Sequence, residues 1–404
     1  MYALAEQRIF CFEKMVLKIG ILLIAVAVFS GQDVSISAYS AGTLLKGYIV
    51  KEHSDDALFL LRYARDAEMI EKYKGSVVNK LEEGVHYVRL NKFINKRNIR
   101  INVAEVDRKL NSNIEIVPKL ASKSLHSKAK ISNIEKNAIL AVNGTYFKQN
   151  TGTPLGALVI DNEIITGPIY ERVALGIGQD EFKTSRLAFE GTLTNRKRQV
   201  KVDNINQPRM SYFHTLIYTQ AWGEKSPETK SGTKHIAIKD GKIVATSAYS
   251  LIIPENGVVI SAPADNLDGF ELGDKVKLDY SLVPNWENVD HIISGGPYLL
   301  KNGEIFVDAS SQKLNAITGK NPRTAIGYTK ENTMIIVTVD GRKEGSSGVT
   351  LEELAKIMSD LGCYEAINLD GGSSTVMYVK GNTLSGSNVK ATTISNALVV
   401  RKKA

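Results

Sequence analysis

The chain has 404 residues, 43% of them apolar and 23% charged, with 51 basic against 43 acidic side chains and a formal net charge of +8. Such a composition can bury a core and excludes long disordered stretches; the length allows one large domain with an accessory segment, or two modest domains. With only Cys11 and Cys363 present, a disulfide framework is excluded as well.

At the N-terminus, Ile19 to Phe29 is an unbroken apolar run preceded by Arg8, Lys14 and Lys18. It fits the apolar region of a secretory signal and is short for a membrane span. Small residues at Ser30, Ser35, Ser37 and Ala38 offer cleavage sites, whereas the single charge between Ile19 and Ala41, Asp33, leaves an uncleaved anchor as the alternative. Residues 1–40 are therefore expected to be a signal peptide or membrane anchor. The protein is then secreted or held at the cell envelope, associated with the membrane through this segment, with residues before about Ile36 removed or embedded.

Residues 41–82 read as a helical stalk or linker. Ser54 can cap a helix from Asp55 to about Tyr73, with Asp55 and Asp56 in its first turn and Gly75 as its stop. Residues 51–136 hold 18 Lys/Arg against 12 Asp/Glu, which is +6 of the total charge. That bias suits an anionic polymer or a phosphate-rich surface, and equally a solvated basic face.

From Glu83 the texture changes to short alternating strands, and residues 83–404 are expected to form one domain. Asp240-Gly241 and Asn302-Gly303 each sit between two apolar runs, as two-residue hairpin turns do. Dense strands with one clear helix predict an α+β class, mostly antiparallel. That helix opens with the capping box Thr350-Leu351-Glu352-Glu353 and carries the stripe Leu351, Leu354, Ala355, Met358 and Leu361, with Gly362 as its stop. Cys363 reads as a small buried residue.

A short strand follows, ending Ile367-Asn368-Leu369-Asp370-Gly371-Gly372. Alternation sends Ile367 and Leu369 to one face and Asn368 and Asp370 to the other, and the glycines let a ligand approach the backbone. A turn merely capped by Asp370 is the competing interpretation. Upstream, Arg323–Tyr328 and Thr333–Asp340 form a hairpin that brings Arg323 opposite the Thr338–Asp340 end. Arg323, Asp340 and Arg342 then cluster, either as a structural ion-pair knot or as a site for phosphate oxygens. Asn143-Gly144 with Tyr146-Phe147, and Ser294-Gly295-Gly296-Pro297, are two more glycine-flanked strand ends. Asn143, Gly296, Arg323, Asp340 and Asp370 are expected to line one pocket.

Taken in order, these motifs resemble the phosphodiester glycosidase family: Ala141-Val142-Asn143-Gly144 with Tyr146-Phe147, Gly295-Gly296-Pro297, Pro322 to Gly327, Asp340-Gly341-Arg342, Gly348 to Leu351, Asn368 to Gly372, and Ser395-Asn396-Ala397-Leu398. The resemblance spans about Gly84 to Ala404, and bacterial members of that family are often labelled exopolysaccharide biosynthesis proteins. It implies hydrolysis of a sugar-1-phosphodiester through an oxocarbenium-like state, with a phosphate-linked glycan as substrate. Asp370, then Asp340, are the implied carboxylates beside the anomeric carbon. Asn143 and Asn368 are the implied hydrogen-bonding partners, Asn143 with a catalytic role. Arg323, Arg342, Gly295, Gly296, Gly371, Gly372, Ser373 and Tyr146 would bind the phosphate and sugar.

The chain departs from that pattern at Ser373, where relatives carry a third glycine, and at Lys390, where many carry an arginine ahead of Ser-Asn-Ala-Leu. No cofactor is expected. Six scattered histidines, without a His-x-x-x-His pair, argue against zinc, while Asp340 and Asp370 together would suit a divalent cation. No nucleic-acid module is legible. The rival functions are a metal-assisted phosphodiesterase and a non-catalytic cell-surface polysaccharide-binding protein, the second having only Trp222 and Trp286 to build aromatic platforms.

Overall fold

The computed structural model describes residues 55–209, 211–229, 231–384 and 392–403. The expected signal or anchor, the start of the stalk and Lys390 lie outside the described residues. Two compact units divide the chain, Met1–Gly75 and Ser76–Ala404. In the first, the helix Asp55–Lys72 starts and stops within a residue of the span read from its acidic first turn and its glycine stop. The second begins before Glu83 because it takes in the strand Val78–Glu82. That strand buries only Leu81 fully, so its alternation is too faint to read.

The second unit is built of strands, with few helices. Five sheets account for them, and every pairing among the described residues is antiparallel except the short contact of Asn204–Ile205 with Leu216–Tyr218. Both expected hairpin turns form: Asp240-Gly241 and Asn302-Gly303 take positive φ at each position, as a two-residue turn of matching twist requires.

The largest sheet has eight strands. Its middle runs Arg97–Val106, Met334–Val339, Arg323–Tyr328, Glu365–Asn368 and Tyr298–Lys301. Ile326, Ile336, Ile367 and Leu369 enter the main core beside Leu140, Val142, Leu398 and Val400 of a five-stranded sheet. The helix Leu351–Asp360 covers part of the sheet, burying Leu351, Leu354, Ala355, Ile357 and Met358.

Its capping box is complete: the Glu353 amide donates to Thr350 Oγ1 at 3.2 Å, and the Thr350 amide to Glu353 Oε2 at 3.0 Å. Glu353 also receives Asn95 Nδ2 and ion-pairs with Arg97, which ties the hairpin of Asn95-Lys96 to the start of the helix. Cys363 is buried and forms no disulfide. A second core, with Phe270, Ile260, Leu193 and Val202, fills the sheets between residues 188 and 283.

Candidate active site

Three strand ends and two strand starts are laced together by main-chain bonds. Asp370 N–H donates to Gly144 O at 3.2 Å, Leu369 N–H to Thr324 O at 2.9 Å, and Gly296 N–H to Asn368 O at 2.7 Å. Gly372 N–H reaches Pro322 O, and Gly295 N–H reaches Val173 O, both at 2.9 Å. The turns at Gly144, Gly295-Gly296 and Gly371-Gly372 thus meet around one point. Gly144 has to be glycine, since a Cβ there would collide with the Asn396 side chain. Asn396 in turn accepts the Thr145 amide at 2.9 Å, so the closing Ser-Asn-Ala-Leu stretch braces the first motif.

At the centre stands Asp370, a half-buried residue. Its Oδ1 accepts the Gly371 amide at 2.9 Å, while its enclosed Oδ2 accepts no hydrogen bond of ordinary geometry among the described residues. Burial pushes the carboxyl up to about 6, against the pull of the nearby Ser374 hydroxyl and the Gly371 amide. Desolvation is the cause here, and no second carboxylate contributes.

Tyr146 links the other groups. Its hydroxyl donates to Gly296 O at 2.7 Å and accepts from Asn368 Nδ2 at 2.8 Å. Burial raises its pKa first, the Asp370 charge adds to that, and Arg172 and Arg323 oppose it. Asn368 Nδ2 also donates to Gly296 O at 3.0 Å, and its Oδ1 is buried without a partner among the described residues. Asn143 is buried and fully engaged: Nδ2 donates to Asp370 O at 2.6 Å, and Oδ1 accepts Thr324 Oγ1 at 2.6 Å and Val376 N–H at 3.1 Å.

The arginines divide into distinct roles. Arg323 is 2% exposed and spends Nε on Val349 O at 3.1 Å and Nη2 on Ile317 O and Gly319 O. The fork expected to grip phosphate is thus turned toward the chain. Burial without a carboxylate partner lowers its pKa to about 10. Arg342 is exposed, donates to Asn321 Oδ1 at 2.5 Å, and holds its guanidinium against Gly372. Ser373 is exposed beside it, its carbonyl receiving the Thr392 hydroxyl.

Asp340 does not face Asp370. Arg323 pairs with Val339, so the next residue turns to the opposite face of the sheet. There its carboxylate, wholly buried, meets Lys343 Nζ at 2.8 Å and Arg100 at 3.6 Å. The expected cluster of Arg323, Asp340 and Arg342 does not form: Lys343 and Arg100 pair with Asp340, while Arg323 bonds main-chain carbonyls and Arg342 bonds Asn321. Sequence reasoning missed Arg172. Its guanidinium lies 5.1 Å from the Tyr146 ring centroid and 5.6 Å from that of Tyr170, with Nε donating to Gln312 O at 3.4 Å. An arginine ahead of the apolar run Val173–Ile177 was the only available signal.

Comparison with known proteins agrees with the resemblance. Residues 228–401 match the model of the phosphodiester glycosidase family. The mouse N-acetylglucosamine-1-phosphodiester alpha-N-acetylglucosaminidase is 30% identical over 105 residues, which covers 23% of this chain and 20% of that protein. An uncharacterised prophage-derived protein of Bacillus subtilis is 44% identical over 62 residues, 15% of this chain and 10% of its own. The chain thus spans a fifth or less of the length of these curated relatives. A hypothetical protein from Synechocystis shares the fold, with a TM-score of 0.75 at 23% identity over 81% of this chain and 64% of its own. Asp370, Asn368, Arg323, Arg342 and Gly295-Gly296 lie in the family-matched stretch; Asn143, Tyr146 and Arg172 lie before it.

Proposed function

We propose that the chain hydrolyses a sugar-1-phosphodiester on an envelope or extracellular glycan, breaking the bond between the anomeric carbon and the phosphate oxygen. The observation that carries this reading is the half-buried Asp370 carboxyl, raised to about 6 and seated in the Gly371-Gly372 turn, with the Arg342 guanidinium against Gly372. The family match of residues 228–401 supports the same chemistry.

Water adds to the anomeric carbon, the C–O bond to phosphate breaks, and Asp370 takes the proton that water loses. The departing phosphate monoester is a weak base and needs charge neutralisation more than a proton. Arg342, exposed beside the Gly371-Gly372 turn, is the group to supply it. Arg323 and Arg172 add fixed positive charge behind Tyr146, and Asn143 and Asn368 hold the turn and the Gly296 loop in register. No cofactor is invoked, and the apolar N-terminal run would deliver the domain to the envelope.

Hydrolysis of an N-acetylglucosamine-1-phosphodiester in ¹⁸O-water tests this. Label in the released sugar, with an unlabelled phosphomonoester, is expected. Label in the phosphate would indicate cleavage at phosphorus, and no turnover with retained glycan binding would indicate a binding protein. Trp222 speaks against that last outcome, being buried against His126 and Tyr218 and offering no platform.

A further inference from the structure

At the far ends of the strands Val173–Ile177 and His291–Ser294, away from Arg172 and Gly295, lies a cavity of about 220 Å³. Four residue steps at roughly 3.3 Å each set it on the order of 13 Å from the Asp370 site. Ile114, Ile116 and Ile177, each at most 2% exposed, give it an apolar floor. Its polar wall carries three cations, Arg108, Lys109 and Lys403, and three carboxylates, Glu115, Asp180 and Asp290.

Arg108 stacks on the Phe182 ring at 4.7 Å, and its Nη2 is buried with no hydrogen-bond partner among the described residues. His291 Nδ1 accepts the Asp161 amide at 3.0 Å, which fixes the neutral tautomer with its proton on Nε2. Arg108 Nη2, a donor without an acceptor among the described residues, thus shares the cavity wall with the carboxylates of Asp180 and Asp290, while His291 Nε2 lies 3.9 Å from Asp161.

The balance of charge decides the ligand class. An anion would gain three cations and lose against three carboxylates; a cation would meet the reverse. A neutral polyol gains from both, because each hydroxyl accepts from a guanidinium and donates to a carboxylate. Its C–H face suits the isoleucine floor. We infer that this cavity is a second, non-catalytic site for one neutral sugar residue, separate from the Asp370 turn.

Titrating isoleucine-methyl-labelled protein with the methyl glycosides of glucose, galactose and N-acetylglucosamine tests it by NMR. Saturable shifts of the Ile116 and Ile177 methyls are expected with at least one glycoside, and none with glycine or inorganic phosphate. Asp180→Ala, an exposed position, should weaken the binding about tenfold at an unchanged melting temperature. Asp370→Asn should leave the same shifts in place, so that this site and the catalytic proposal fail separately. Silence of both methyls with all three glycosides overturns the inference. Equal response to glycine or phosphate, or undiminished binding in Asp180→Ala, does so too.

Discussion

The side-chain amide of Asn143 donates to the main-chain carbonyl of Asp370 across 227 positions of sequence, at 2.6 Å. Because the same side chain also accepts from Thr324 and Val376, one residue holds the candidate carboxylate turn to the strand Arg323–Tyr328 and to the residue just before the strand Met377–Val379. Asn143→Ala leaves the Thr324 hydroxyl, the Val376 amide and the Asp370 carbonyl buried with fewer partners. A loss of about 2–4 kcal/mol in chemical denaturation is expected, with kcat falling more than KM changes.

Asp370→Asn should lower kcat by about 100-fold or more, the range for loss of an acid–base group, with the circular dichroism spectrum intact. Near-normal turnover would reduce the residue to a turn cap, for which asparagine serves as well.

The same variant should be more stable than the parent at neutral pH. Asp370 keeps its proton up to about 6 when folded, against an ordinary value of 3.8. Between those values the folded state binds more protons, so stability is full below 3.8 and is lost as pH rises through 6. Removing the charge should recover about 1–3 kcal/mol at pH 7, after allowance for partial exposure. Melting curves at pH 4 and pH 7 check this: the gain should appear only at the higher pH. Turnover by the parent should rise through about pH 6 and then level.

His235 slopes the other way. It is fully buried between Ser226 Oγ and Thr229 Oγ1, and burial, with help from Arg209, depresses it from 6.5 to about 4. Its neutral form contributes stability above pH 6.5 that is lost as pH falls through 4, roughly 3 kcal/mol at about 1.4 kcal/mol per pH unit. In urea titrations from pH 7 to pH 4, His235→Asn should start less stable and show a shallower decline.

Arg342→Gln should lower kcat by about tenfold or more, raise KM as well, and leave the melting temperature unchanged. The side chain is exposed and, among the described residues, donates to Asn321 alone, so its loss costs the fold little. Steady-state kinetics on the sugar phosphodiester, with a melting curve beside it, provide the check.

Local chemistry made much of this legible. The capping box at Thr350, the hairpins at Asp240-Gly241 and Asn302-Gly303, and the pairing of Arg323 near Thr338–Asp340 follow from patterns a few residues long. Alternation also put Ile367 and Leu369 in the core. It separated Asp340 from Asp370 only once the register was fixed at Val339, since one step of slip exchanges the faces. Arg172 was invisible because its place depends on Gly295 pairing with Val173, a contact no local window contains. Arg323 looked like a ligand fork, and only the folded loop at Ile317–Gly319 shows where its protons go.

The chain leaves the eight-stranded sheet at Asn368 and enters the five-stranded sheet at Met377, and Asp370 lies on that crossing. Its carboxylate is therefore suspended between two layers, with no single layer to carry it. Any slip of one layer over the other would displace it before either layer came apart, much as a bridge deck cracks ahead of its piers. Turnover is thus a gauge of interlayer alignment, and should fade at urea concentrations where the strands themselves are still intact.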